Sequence, residues 1–261
     1  MTPSRAPTGI RPLAVLGLAF LVLPLVALAL RTPWGEVGAL VRSPVVVDAL
    51  RLSVATSLGA VAVATVLGVP LAWVLARTSF PGRRLVRALA VLPMVLPPVV
   101  GGVALLLAFG RRGVFGGALD AATGVSLPFT TAGVVVAEAF VAMPFLVVTV
   151  ESGLRAMDRR YEDAAATLGA SRWTVLRRVT LPLVAPSVVA GMALAWARAL
   201  GEFGATITFA GNLPGETQTM PLAVFLALES DPQAAYLLSF LLLAISVAVL
   251  VGLRDRYLGQ P

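Results

Sequence analysis

Two stretches of this chain gather the residues that can do chemistry. The first is ARALGEFGATITFAGNLPGETQTMPLAVF, Ala197 to Phe225. It sets Gly201, Gly204, Gly211 and Gly215 among Thr206, Thr208, Asn212, Thr217 and Thr219. Short hydroxyl and amide donors beside glycine-exposed backbone can hold an oxyanion through neutral hydrogen bonds. The same composition also suits an ordinary re-entrant turn and loop, and chemistry alone does not separate the two. The second stretch is EDAAATLGASRWTVLRRVTLPL, Glu162 to Leu183, a polar, patterned segment between two long apolar runs. Two further charges, Glu138 and Arg198, lie inside apolar runs.

The residue types that are missing narrow the chemistry further. The chain has 261 residues and no lysine, histidine or cysteine; all twenty basic residues are arginine. Without lysine there is no GxxxxGK[ST] phosphate loop, so ATP hydrolysis by that route is excluded. Without His and Cys the usual soft metal sites, thiol nucleophiles and disulfides are excluded as well. Hydrophobic residues make up 58% and charged residues only 13%, against about a quarter charged in soluble domains. The composition is that of an integral membrane protein with little room for a soluble domain.

About 20 apolar residues of helix span a bilayer core. Six runs qualify: Pro12–Leu30, Leu52–Ala76, Ala88–Phe109, Ala132–Val150, Leu183–Gly201 and Ala234–Leu253. The first follows Arg5 and Arg11 but is long for a signal-peptide core, and LALRTPWGE lacks a small-residue cleavage site. It is expected to be an uncleaved span. With the N-terminus inside, fourteen arginines fall on the cytoplasmic side: Arg5, Arg11, Arg77, Arg83, Arg84, Arg87, Arg155, Arg159, Arg160, Arg172, Arg177, Arg178, Arg254 and Arg256. Five fall outside: Arg31, Arg42, Arg51, Arg111 and Arg112. The split predicts both termini in the cytoplasm, and reads the net charge of +7 as topology rather than nucleic-acid binding.

Breaks are expected inside the spans. The third reads LPMVLPPVVGGVALLLAFG, with Pro93, Pro97 and Pro98 ahead of Gly101 and Gly102. Proline removes backbone donors, and such breaks survive in a membrane only where protein or a wet cavity satisfies the freed groups. Small-residue helix packing and a pathway-lining helix both explain the run. Intramembrane charges are costly and often functional. Glu138 and Arg198 lie at matching depth in antiparallel spans and are expected to form an ion pair or shared network. Glu202, four residues after Arg198, competes for it. Arg198 can alternatively attract an anion at the outer vestibule.

The polar segment, within the cytoplasmic loop 151–182, reads as a helical hairpin. Asp163 to Leu168 favours helix, Gly169 ends it, Ser171 caps a second helix, and Pro182 is expected to stop that one. Trp173 and Leu176, and Val175 and Val179, form an apolar strip, with arginines largely elsewhere. An amphipathic helix lying on anionic lipid fits this periodicity. The small acidic surface of Asp163, Ala164 and Ala165 fits docking to a protein.

The spacing of this segment resembles the signature of permease subunits of binding-protein-dependent ABC importers. There EAA is followed by three residues, Gly, nine residues, Ile, one residue and Leu-Pro. Here the same positions hold Asp163, Ala164, Ala165, Gly169, Val179, Leu181 and Pro182, with Asp for Glu and Val for Ile. The resemblance implies that these residues dock on a separate cytoplasmic ATPase, which explains the missing phosphate loop. GEFGATITFAGN and PGETQT are similar to molybdate permease subunits, with sulfate permeases similar mostly in ALGEFG and the following GN. LPMVLPPVVGG and FTTAGVVVAEAF also look like this oxyanion group, and the resemblance runs from about Arg51 onward.

What the resemblance implies is an all-α, six-helix permease of the type I ABC importer fold, a single domain over residues 1–261. It implies a homodimer with two ATPase subunits, an external oxyanion-binding protein, and a bacterial or archaeal cytoplasmic membrane. ATP and Mg would sit on the ATPase, none in this chain, and the chain itself would catalyse no reaction. The expected cargo is molybdate, with tungstate of the same charge and shape not excluded. The pathway residues implied are Gly201, Glu202, Phe203, Gly204, Thr206, Thr208, Gly211 and Asn212. A sulfate or thiosulfate permease is the alternative. An ion-coupled secondary transporter has few intramembrane acids to work with.

Overall fold

The computed structural model describes residues 9–253; Arg5, Arg254 and Arg256, three arginines of the orientation argument, lie outside them. The helices run α1 (Ile10–Arg31), α2 (Val37–Leu40), α3 (Pro44–Arg77), α4 (Arg83–Val95), α5 (Pro98–Phe109), α6 (Gly116–Thr123) and α7 (Thr131–Ala156). Then follow α8 (Arg160–Thr167), α9 (Arg172–Val175), a π turn (Leu176–Thr180), α10 (Leu181–Leu200), α11 (Gly204–Ala210), α12 (Met220–Ser230) and α13 (Pro232–Leu253). There is no strand among the described residues.

Four helical runs are long and apolar enough to cross a membrane: α1, α3, α7 and the run Arg172–Leu200. The expected third span is not straight. It is two helices, Arg83–Val95 and Pro98–Phe109, bent by 119°. The cause is Pro97–Pro98: Leu96 and Pro97 are both forced extended, with ψ of 133° and 130°, because a residue before proline avoids the helical region. Counted as one span, the pair makes five, and the 22-residue α13 is compatible with a sixth. Two further boundaries differ from expectation. α3 starts at Pro44, eight residues before Leu52, since proline is well placed at the first helical position. The region after Gly201 is not an open loop but holds α11 and α12, both partly or wholly buried.

The core is built by α3, α7 and α10, which pack closely together. Leu75, Leu146, Val150, Leu154 and Val184 are buried there beside Ala60, Ala142, Ala195 and Ala199. Small residues set the spacing. A Cβ on Gly68 would lie 3.1 Å from Leu146 and 3.2 Å from Val147, and one on Gly191 would lie 3.3 Å from the Leu146 backbone. Close backbone approach at small residues is how helices associate where lipid removes the hydrophobic drive. By contrast α1 buries none of its side chains and packs mainly on α13; just past its end Trp34 donates to the Ala29 carbonyl and meets Phe240 of α13 edge-on.

The two broken segments interlock. α5 packs on α11, and the contact is made by glycine on each side. A Cβ on Gly102 would come within 2.6 Å of Thr208 Cβ and 3.0 Å of the Ala205 carbonyl. A Cβ on Gly204 would come within 2.8 Å of Pro98. The break after α10 therefore rests directly on the break before α5. Overpacking such a contact costs about 1–3 kcal/mol. Gly102→Val is expected to lower the thermal midpoint of the detergent-purified protein by several degrees. Gly17→Ala, where a Cβ meets nothing within 4 Å, is expected to leave it unchanged.

Candidate functional site: a hairpin joined to a broken glycine-rich segment

At one end of the bundle the polar hairpin folds much as its spacing predicts. Gly169 ends α8 in a left-handed conformation at φ 82°. Its N–H donates to the Ala166 carbonyl at 2.9 Å, and the next N–H, of Ala170, donates to Ala165 at 3.1 Å. This double closure satisfies the last helical carbonyls, and glycine adopts it without the Cβ penalty. Ser171 caps the second helix by accepting the Thr174 N–H at 3.2 Å.

Pro182 does not stop that helix, contrary to the sequence expectation. The run continues without interruption from Arg172 to Leu200. The π turn from Leu176 to Thr180 explains how: widening one turn relieves the clash between a proline ring and the carbonyl four residues earlier. The hairpin's second helix is thus the start of the span itself. At about 1.5 Å per residue the rod is on the order of 40 Å long.

The hairpin's acid that grips the bundle is Glu162, not Asp163. Glu162 Oε2 lies 3.3 Å from Arg77 Nε, at the end of α3. Its Oε1 accepts from Thr180 Oγ1 in the π turn at 2.7 Å. The Arg77 side chain is only 7% exposed and that of Glu162 18%, so the pair is largely out of water. Asp163 is exposed and lines, with Arg77 and Glu162, a cleft of about 410 Å³. Ala164 and Gly169 are exposed, Ala165 and Val179 half-buried, and Leu181 and Pro182 exposed. Tyr161, Leu168 and Trp173 present bare apolar surface on the same hairpin, with Leu168 89% exposed. Sequence reasoning missed Glu162, Arg77 and Thr180. The available signal was an acid beside the motif with an arginine ending a span.

The opposite end of the rod leads into the glycine-rich segment. Arg198 pairs with Glu202, and Glu202 Oε1 also accepts the Ala205 N–H at 2.8 Å, capping α11. Glu138 takes no part in that pair. Its Oε1 accepts from Thr56 Oγ1 at 3.0 Å, on α3. The expected Glu138–Arg198 ion pair is therefore replaced by two separate contacts, because Glu202 reaches Arg198 from the same helix end. Both acids are 1% exposed.

The hydroxyls of the motif divide in two. Thr208 bonds back to the Gly204 carbonyl at 2.8 Å and Thr217 accepts the Leu213 N–H at 2.9 Å, so both serve the fold. Thr206 Oγ1, Asn212 Oδ1 and Thr219 Oγ1 are buried with no hydrogen-bond partner among the described residues. Gly204 is buried, Phe203 half-buried and packed on Phe225 at 5.1 Å, and Gly201 exposed. Gly211 turns the chain at φ 75° against Phe129. A feature missed in the sequence holds this end together. Ser53, Thr56 and Ser57 share one face of α3. They reach the Met220 N–H at 2.7 Å, Glu138, and Trp196 Nε1 at 2.8 Å.

Comparison with known proteins gives three results. A family described as "Binding-protein-dependent transport system inner membrane component" matches residues 64–259. The molybdenum transport system permease protein ModB of Mycobacterium tuberculosis (strain ATCC 25618 / H37Rv) is 48% identical over 254 residues, covering 97% of this chain and 96% of that protein. The sulfate transport system permease protein CysT of Escherichia coli (strain K12) is 38% identical over 238 residues, covering 90% and 86%. Among solved structures, a bacterial alginate ABC transporter in complex with a pentasaccharide-bound periplasmic protein superposes with a TM-score of 0.76 at 15% identity, over 96% of this chain and 93% of that one.

The Glu162 contacts make a sharp distinction between neighbouring acids. Breaking a largely buried ion pair costs on the order of 3 kcal/mol, whereas a solvated surface charge costs about 0.5 kcal/mol or less. Glu162→Gln is expected to lower the thermal midpoint clearly and Asp163→Asn hardly at all. A double-mutant cycle of Glu162→Gln with Arg77→Met should be strongly non-additive; additive effects would mean that the two side chains do not interact.

Proposed function

This chain belongs to the family of binding-protein-dependent transport system inner membrane components, and from that premise we propose that it is the membrane-spanning subunit of an ATP-driven molybdate importer. The observation that carries the reading is identity with a molybdenum permease at 48% over nearly the whole chain, against 38% for a sulfate permease. The multi-pass arrangement of apolar helices supports a place in the inner membrane. We place both termini in the cytoplasm from the arginine distribution.

In this reading two copies of the chain stand side by side, each with an ATPase subunit below and an external binding protein above. The hairpin Arg160–Thr180 meets the ATPase through Tyr161, Leu168 and Trp173, whose exposed apolar surface suits a soluble partner. Asp163, Ala164 and Ala165 lie beside this contact. A push on the hairpin passes along two routes. Glu162 transmits it to the end of α3 through Arg77. The unbroken helix from Arg172 transmits it to Arg198 and Glu202.

At the far end the rod reaches α11, which rests on α5 through Gly102 and Gly204. Movement there shifts the two broken segments together and changes access from the outer side. Thr206, Asn212 and Thr219 supply polar oxygens without internal partners, and Asn212 is half-buried at the turn. Of these the Thr206 and Thr219 hydroxyls can donate; neutral donors suit a cargo that must be released again, since a full ionic contact would hold an oxyanion too strongly. The chain's own role is to bind weakly, orient and gate; no covalent bond is made or broken on it.

The test is uptake by the complete complex with its binding protein and ATPase in sealed vesicles. Molybdate is expected to enter only with ATP, to stop with the ATPase inhibitor vanadate, and to resist competition by excess sulfate. Uptake that persists with vanadate would mean a different energy source. Uptake of sulfate in place of molybdate would move the cargo to the sulfate branch.

A further inference from the structure

A second polar site lies at the hairpin end of the bundle, beside the cleft of Arg77 and Glu162 but lined by different residues. It is a cleft of about 650 Å³ between the end of α3, the start of α4 and the end of α7. Arg83, Arg84, Arg87 and Arg155 line it together with Ser79 and Gly82, and no acid does. Three of the guanidinium groups are already anchored. Arg83 and Arg87 donate to the Leu75 carbonyl at the end of α3. Arg87 and Arg155 grip the Glu151 carboxylate, at 2.5 Å and 2.7 Å. In each case Nε and Nη2 are used, which leaves the Nη1 group to offer. Glu151 offsets one of the four charges. Arg84 is exposed and makes no hydrogen bond or ion pair among the described residues.

Four arginines around one cleft repel one another, and holding three of them still by their inner edges costs side-chain freedom. The sequence adds to this at the start of α4, where Arg83 and Arg84 occupy the first turn with no acid beside them. Cations are unfavourable at that end of a helix. A bound anion offsets both terms. Guanidinium forks match the oxygens of a phosphate group in geometry as well as charge. Basic pockets between spans, at the level of the headgroups, suit an anionic lipid phosphate.

We propose that this arginine cleft binds a phosphate group, carried by an anionic lipid headgroup or free in solution, and so fixes the α3–α4 turn against α7. The reading is independent of the cargo and of the hairpin's partner.

The experiment uses the purified full chain in its complex, with phosphatidylglycerol, phosphatidylcholine and inorganic phosphate as three separate probes. Binding is followed by native mass spectrometry for lipid and by thermal midpoint for both lipid and phosphate. Retention of phosphatidylglycerol over phosphatidylcholine, weakened by salt, assigns the lipid source. A rise in midpoint with inorganic phosphate alone assigns the free source. In either case Arg84→Gln should weaken binding by roughly fivefold to tenfold. Arg84 has no internal contact to lose, so the complex should stay intact. Arg155→Gln provides a second loss, read against its own ligand-free midpoint because it also gives up the Glu151 contact. Equal retention of both lipids together with no response to phosphate would overturn the proposal. So would unchanged binding in Arg84→Gln, Arg155→Gln and the double variant.

Discussion

A bilayer core has no water, so a polar group inside it is costly unless another part of the protein answers it. That constraint explains most of what is specific in this chain. Three hydroxyls on one face of α3 are spent on a backbone N–H, a carboxylic side chain and an indole. They tie α12, α7 and α10 to a single helix. Glu202 answers two demands at once, the charge of Arg198 and a free N–H of α11. Where the chain breaks, ahead of α5 and ahead of α11, the starts of the two helices cover one another. Glycine at positions 102 and 204 lets the two approach closely enough to do so.

The same constraint drives the charges to the ends, and there they acquire mechanical roles. Glu151 gathers Arg87 and Arg155 and so joins α4 to α7. Glu162 joins the hairpin to α3 and to the π turn. The π turn allows a helix that would otherwise be interrupted at Pro182 to run through. Consequently the hairpin is not a separate module attached by a flexible joint. It is the beginning of a rod whose other end carries Arg198, with a side brace to Arg77. Motion applied at one end has a packed, continuous route to the other.

Much of this was legible in the sequence. The apolar runs gave the helices, and the hairpin's stop and start followed from Gly169 and Ser171, whose side chain and φ decide the local geometry by themselves. The spacing from Asp163 to Pro182 pointed to the family to which the chain belongs. What could not be read were choices between competing partners. Arg198 had two acids within reach, and helix proximity decided for Glu202. Pro182 normally ends a helix, and only the register of the preceding turn shows that it does not. Asp163 carries the motif position while its neighbour Glu162 carries the contact, because the direction each faces depends on how α8 meets α3. The hydroxyls at 53, 56 and 57 had helical spacing, but their partners come from distant parts of the chain.

The central claim is that hairpin and span move as one rod. The absence of cysteine from the chain lets a pair of spin labels be placed cleanly at Arg172→Cys and Leu194→Cys, both exposed positions on either side of the π turn. Their separation can be measured in the complete complex, with and without bound nucleotide. The account predicts the same distance in both states, within about the 1–2 Å of an ordinary helix shift. A change of several ångströms, or two populations exchanging with nucleotide, would show that the π turn is a hinge and would contradict it.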